Sequence, residues 1–426
     1  MVRRTALVVY VALAVALLVS ARKKPENAVF QQIDSIVKTL SDVSGLAEEH
    51  PVPSGSISKT QLRRFLAKRI RKTLRPEEIR ADELALKMFG LVPQDFDLRK
   101  STIDLLTEQA AAFYDYDTKK LFLLEGASIP DETTTLAHEL SHALADQHFD
   151  LGRFMDESPQ NDDENLAHTA VVEGQASWLM LAYDLVQAGR PAAPTDAMLK
   201  GLADSTDTSA SDYPVLKASP LYIQQSLLFP YVDGTKFFDA VYRKMGKAAF
   251  SVVFTNAPVD SAQVIHPERY FAHEGPKVPE LPNLHLNDDL KQVTEGSVGE
   301  FDHHVLLWQY VGRKKADLLT PHLAGARFQV CSRRKKGNPL LEYASLWDST
   351  NSAAEFFAAY KKILTGKWKH CDPSTDTDAT FAGTSDSGYF VTRLSGSRLI
   401  SVEGLSSPED WKRLIGGAQL RATTLN

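Results

Sequence analysis

Thr133–Asp150 reads TTTLAHELSHALADQHFD and sets His138, Glu139 and His142 in an HExxH arrangement. Leu136, Leu140 and Leu144 recur every four residues beside Ala137, Ala143 and Ala145, so the stretch reads as a helix. Two histidines four apart on a helix stand about 40° apart around its axis and one turn apart along it, so both imidazoles can reach one metal ion. Glu139 is offset from the pair. It stays outside the coordination sphere, placed to act as general base toward a metal-bound water. Upstream, Ser128, Pro130 and Asp131 offer a Ser-x-x-Asp helix start. The plain alternative is a surface helix with two solvated histidines, and the downstream sequence argues against it.

Beyond Gly152 the chain is polar through Asp163, then strongly apolar from Leu166 to Val186, which reads as a buried helix. Glu173 lies inside it, within VVEGQAS. A carboxylate in so apolar a helix is costly unless it is paired or bound to metal, so Glu173 is the expected third ligand of one Zn2+ ion. His148 is the rival, because His138, His142 and His148 have HxxxHxxxxxH spacing. That arrangement needs a glycine to swing the last histidine round. Ala143 to Gln147 supply none, and a continuing helix leaves His148 about 120° off the ligand face. His168, alone on an apolar helix, reads as packing.

Ahead of the HExxH stretch, Ala111–Gly126 (AAFYDYDTKKLFLLEG) reads as a strand, a polar turn at Asp115–Lys119 and a second strand at Leu121–Leu124. Such a pair either offers an edge that holds an extended peptide by main-chain hydrogen bonds or simply packs under the helix.

HELSHALADQHFDL followed by VVEGQAS resembles the gluzincin zinc metallopeptidases, the thermolysin-like clan. With FYDYDTKKLFLL before and VIHPERY after, the chain also looks like a group of exported bacterial proteins that carry this signature. The resemblance covers roughly Asp97 to Phe271. It implies a mainly helical zincin-like catalytic domain, zinc on His138, His142 and Glu173, Glu139 as base, and a peptide or protein substrate. It also implies a His or Tyr opposite Glu139 that donates to the tetrahedral oxyanion, and His266 is the candidate. Gluzincins often carry Asp four residues after the ligand Glu. Here that position is Ser177, so support of a zinc histidine falls to Asp146 or to Ser177 itself.

A chain of 426 residues, 43% hydrophobic and 24% charged, can bury a sizeable core. A net charge of −6 gives no electrostatic footprint for nucleic acid. Arg3 and Arg4 precede the apolar run Ala6–Val19, then Ser20 and Ala21, as in an export signal; Arg22, Lys23 and Lys24 suit an uncleaved membrane anchor equally. In both cases the body is expected to be extracytoplasmic. Cys331 and Cys371 are the two cysteines, and export permits a disulfide between them as readily as two free thiols.

The expected class is α+β. Residues 1–21 form the signal or anchor and 22–96 a helical region, broken at Pro51–Ser58. The catalytic domain spans 97–275, a linker 276–295 and a C-terminal α+β domain 296–426. Within these, Arg190–Ser219 reads as a surface loop, and the segment starting at Leu221 as two helices broken at Pro230. Asn256–Phe271 reads as a loop or short helix. The C-terminal part reads as helices at Gly299–Trp308 and Ala353–Leu364 with strands at Arg327–Cys331, Leu340–Trp347, Tyr389–Leu394 and Leu399–Val402. Together these point to an exported zinc-dependent peptidase. The alternative is a catalytically weak or inactive zinc-binding envelope or assembly protein that acts by binding a partner.

Overall fold

A computed structural model gives the architecture and describes residues 12–15, 31–126, 132–156, 161–209, 213–282, 290–333 and 337–415. The fold is α+β. A short strand, β1 (Ala12–Val15), precedes α1 (Ile33–Ser44), which buries Ile33, Ile36, Val37 and Leu40 and ends on Gly45 at φ 81°. Next come β2 (Ser54–Ile57), α2 (Lys59–Thr73), α3 (Pro76–Phe89) and α4 (Leu98–Gln109). Ser58 and Gln61 cap α2 reciprocally. The break expected at Pro51–Ser58 is half strand. Its SGSI has no apolar alternation, and β2 exists because it pairs in parallel with the later strand that contains Leu121, opposite Ser54.

β3 (Ala110–Asp115) and β4 (Lys120–Leu124) form the expected antiparallel hairpin, and the small sheet runs β1-β3-β4-β2. Three helices follow: α5 (Glu132–Phe149), α6 (Leu151–Asp156) and α7 (Asp162–Gln187). The helix start expected at Ser128–Asp131 lies outside the described residues. Arg190–Ser219, expected as a loop, instead holds α8 (Asp196–Ser209) and α9 (Pro214–Ala218). A sparse stripe, Leu199 and Leu202, is buried there and was masked by the Ala, Ser and Asp around it. α10 (Leu221–Met245) is one helix, not two. Pro230 removes one backbone hydrogen bond from it, but Phe229, Tyr231, Phe237 and Phe238 are buried around that point, and this packing keeps the helix continuous.

α7 and α10 cross closely because both offer glycine. A Cβ on Gly174 would collide with the Gly234 backbone, and one on Gly234 with the Ala170 carbonyl. Trp178 Nε1 donates to Asp239 at 2.9 Å and pins the pair further along. Asn256–Phe271 contains two short helices, α11 (Ala249–Thr255) just preceding them, then α12 (Ser261–Ile265) and α13 (Pro267–Phe271).

β5 (Leu290–Ser297) begins inside the stretch read as linker. After α14 (Glu300–Val311) and α15 (Arg313–Leu319) come β6 (Leu323–Arg333), β7 (Leu340–Trp347) and α16 (Thr350–Lys367). The remaining elements are β8 (Cys371–Asp376), β9 (Thr380–Ser385), β10 (Gly388–Ser395), β11 (Arg398–Leu405) and α17 (Pro408–Ile415). The strands form a seven-stranded antiparallel sheet, ordered β5-β6-β7-β11-β10-β9-β8. On one face Phe356 stacks on Trp347 at 4.4 Å and Tyr360 on Tyr343 at 5.5 Å.

The disulfide left open by the sequence does not form, and both thiols are free. Cys331 sits on β6 and Cys371 on β8, five strand spacings or about 24 Å apart, far beyond disulfide reach.

One apolar core joins the helical part to this sheet, from Ile36 and Trp178 to Tyr343 and Phe356. Polar contacts cross the same junction. Gln309 and Tyr310 both donate to the Gly90 carbonyl at 2.7 Å, and Lys367 donates to the Met88 carbonyl at 2.8 Å while it pairs with Glu403 at 2.6 Å. No helix among the described residues is long and apolar enough to cross a membrane.

Candidate metal centre

α5 carries His138, Glu139 and His142, and its Leu136, Ala137, Leu140, Ala143, Leu144 and Ala145 are all buried. The helix is therefore clamped on all sides, with α1 and α7 packed against it. α7 brings Glu173 over the two histidines. His138 Nε2 lies 3.0 Å from His142 Nε2 and 3.2 Å from Glu173 Oε2, and His142 Nε2 lies 3.4 Å from the same oxygen. Among the described residues these three are the one group of His, Cys, Asp or Glu side chains whose ligand atoms converge in this way.

The spacing suits a metal ion. Donors about 2.0–2.1 Å from a tetrahedral ion stand about 3.3 Å from each other, so all three edges match. The donor chemistry suits it as well. Two ring nitrogens 3.0 Å apart repel unless a proton or a cation lies between them, and the carboxylate offsets positive charge at that point. Burial alone would push the Glu173 carboxyl up, but His142 and His138 beside it hold it at about 2. The buried His-His-Glu group can thus hold a metal ion.

The group is closed from solvent. His138 is 2% exposed, Glu139 and His142 0%, and Glu173 6%. Glu139 does not join the three donors. Its Oε2 accepts the backbone N–H of Tyr114 on β3 at 2.6 Å.

The remaining candidates fall elsewhere. His148 donates from Nε2 to the Ala47 carbonyl at 2.7 Å, while Gln147 accepts the N–H groups of Glu49 and His50, so the end of α5 clamps the segment after α1. Asp146, one of two residues considered as support for a zinc histidine, is used differently. It accepts from Tyr114 Oη, Lys119 Nζ and the Leu151 N–H, each at 2.8 Å, and ties the helix end to the β3–β4 turn. Ser177 is buried. His168 stacks on Phe154 at 4.6 Å, and burial lowers its pKa to about 4, as expected of a packing residue.

His266, the expected oxyanion donor, sits between α12 and α13. Its Nε2 is 2.8 Å from Glu300 and its Nδ1 is 3.7 Å from Glu268, so both ring nitrogens face carboxylates outside the triad. The Glu300 bond raises its pKa although burial opposes this. His266 thus serves the junction with α14 in this structure.

Tyr231 is the site neighbour that the sequence does not reveal. Its ring stacks on His138 with centroids 5.9 Å apart and planes 26° apart. The glycine crossing explains this, since Tyr231 is one turn before Gly234 on α10. The local cue was Pro230 followed by Gly234, which reads as a helix break and conceals a close approach. Compared with known proteins, the chain matches no family model, no curated protein and no solved structure.

Proposed function

We propose that the chain is an exported, zinc-dependent hydrolase of peptide bonds, with zinc held by His138, His142 and Glu173. The observation that carries this reading is the convergence of two imidazole nitrogens and one carboxylate oxygen within 3.4 Å of each other, with Glu139 next along the same helix. Zinc, when bound, acidifies a water and polarises a carbonyl. Glu139 would take a proton from the attacking water as its oxygen adds to the carbonyl carbon, and would give that proton to the amine nitrogen as the C–N bond breaks. Tyr114 holds the Glu139 carboxylate in place through its backbone N–H, and Tyr231 restrains the ring of His138.

A second reading draws on one specific observation, the complete burial of Glu139 and its bond to β3. In that reading the metal is structural, in an envelope or assembly protein that acts by partner binding. Glu139→Gln separates the two. Zinc content by atomic absorption should match wild type, while cleavage of fluorescein-labelled casein should disappear. Cleavage at the wild-type rate would remove the hydrolytic mechanism. Export rests on the N-terminal basic and apolar pattern, and fractionation of cells that express the full chain tests it.

A further inference from the structure

α2, KTQLRRFLAKRIRKT, holds seven lysines and arginines in 15 residues and no aspartate or glutamate, although acids outnumber bases in the chain as a whole. Its apolar stripe, Leu62, Leu66 and Ile70, is fully buried. Arg64, Lys68 and Arg71 lie on the opposite side of the helix, within about 60° of one another around its axis, and all three are exposed.

Part of the charge serves the fold. Arg63 pairs with Asp104 at 2.7 Å, Arg69 with Asp115 at 3.0 Å and Lys72 with Asp117 at 2.8 Å, which ties α2 to α4 and to the β3–β4 turn. Among the described residues, Arg64, Lys68 and Arg71 form no ion pair. An ordinary solvated helix mixes signs, as α3 does with PEEIRADELALKMF. Here Lys68 stands four residues after Arg64 and three before Arg71, spacings at which like charges repel and weaken a helix. The helix macrodipole favours the cations of the last turn, Arg71 and Lys72, but does not reach Arg64 or Lys68 and opposes Lys59 at the first position. An external polyanion would relieve that repulsion.

We propose that the outer face of α2 docks the protein on an anionic phospholipid surface, with Arg64, Lys68 and Arg71 meeting lipid phosphate. Two observations favour lipid over nucleic acid. Phe65 is turned onto Phe113 at 5.2 Å, so the aromatic ring of α2 is engaged inside the fold rather than offered to a base. The basic and apolar N-terminal pattern at Arg3–Val19 brings the chain to a bilayer, whether as export signal or as anchor. Because Leu62, Leu66 and Ile70 belong to the core, the helix cannot insert, and the attachment is electrostatic and salt-sensitive. Each cation near such a surface strengthens binding about fivefold, so the three together strengthen it about a hundredfold. The proposal is independent of the peptidase reading.

The test sediments the full chain with vesicles of phosphatidylglycerol and phosphatidylcholine, or of phosphatidylcholine alone, at low and at molar salt. Arg64→Gln/Lys68→Gln/Arg71→Gln is compared with wild type and with Lys314→Gln/Lys362→Gln/Lys369→Gln, which removes the same charge from exposed lysines of the C-terminal part. Wild type and the C-terminal variant should bind the anionic vesicles and be released from them by salt, while the α2 variant binds them about a hundredfold less. Binding to phosphatidylcholine alone, which reports the N-terminal run, should be equal in all three. Lys68→Gln alone should lose about fivefold and decides the matter if the triple variant folds poorly. Anionic binding retained by the α2 variants, an equal loss in the C-terminal variant, or no preference of wild type for anionic lipid would overturn the proposal. So would binding of a short DNA duplex that Lys68→Gln weakens while vesicles stay unbound, which would make the face a nucleic-acid site.

Discussion

The Tyr114 N–H donates to Glu139 Oε2 at 2.6 Å, so the residue proposed as base also holds the backbone of β3. Removing that acceptor loses a hydrogen bond to a charged group, worth about 1.5–3 kcal/mol. Glu139→Ala should therefore lower stability by about that amount in urea unfolding, whereas Glu139→Gln keeps an acceptor oxygen and should unfold near wild type. Equal loss in both variants would show that the bond to Tyr114 has no part in stability.

The ligand set is tested by two substitutions read together. Glu173→Ala should lose most bound zinc at neutral pH, because two neutral imidazoles alone offer no charge to offset the ion. His148→Ala should keep its zinc and lose about 1 kcal/mol of stability, the worth of its bond to Ala47. Metal retained in Glu173→Ala and lost in His148→Ala would reverse the assignment.

Gly234→Ala should act on the metal from a distance. The added methyl has no room against the Ala170 carbonyl, so α10 and α7 must separate, at about 1–3 kcal/mol. Glu173 lies one residue before Gly174 at that crossing and should shift with it. Zinc titration of the folded variant should show weaker binding than wild type, and unchanged affinity would mean that the crossing does not set the height of Glu173.

Two buried carboxyls make a contribution to stability that declines as pH rises across the weakly acidic range, opposite in sign to that of His168 and His303, which burial lowers to about 4. Burial pushes the Asp302 carboxyl up to about 6 and the Glu164 carboxyl up to about 7. Both therefore bind more protons folded than unfolded above about pH 4, and the stability present at low pH is lost as pH passes about 6 and then about 7. Asp302 accepts from the Gly299 N–H and from Tyr222 Oη, and an amide can serve both, since a hydroxyl can also accept. Asp302→Asn should remove one declining contribution and so make the slope of stability against pH more positive than wild type between about 4 and 6. A slope equal to wild type would place the titrating groups elsewhere.

The parts legible in the sequence were those where one short-range pattern carried the information. The four-residue leucine repeat fixed α5 as a helix, the polar turn Asp115–Lys119 between two apolar runs gave the β3–β4 hairpin, and the isolated carboxylate of Glu173 in an apolar run pointed to its two histidine neighbours. Long-range pairings were not legible. SGSI becomes β2 because it lies beside β4, and β5 and β8 carry polar residues on the two sheet edges, where burial does not impose alternation. Pro230 was misleading for a related reason. A helix-breaking residue was outweighed by packing against α7, and no local pattern reports a neighbour that far away in sequence. His266 pairs in this structure with Glu300, 34 residues later, a contact that no local pattern announces.

Gly90 ends α3 with φ 78°, and the carbonyls at Met88 and Gly90 point into the C-terminal part, where Lys367, Gln309 and Tyr310 reach them. A chain severed near residue 280 would separate three donors from the acceptors that complete them. Lys367, whose side chain is 2% exposed, would keep Glu403 but lose the wall that shields both. Unfolding of either half would thus expose polar groups that the other half now satisfies, so the junction couples the two parts through hydrogen bonds as well as through apolar packing.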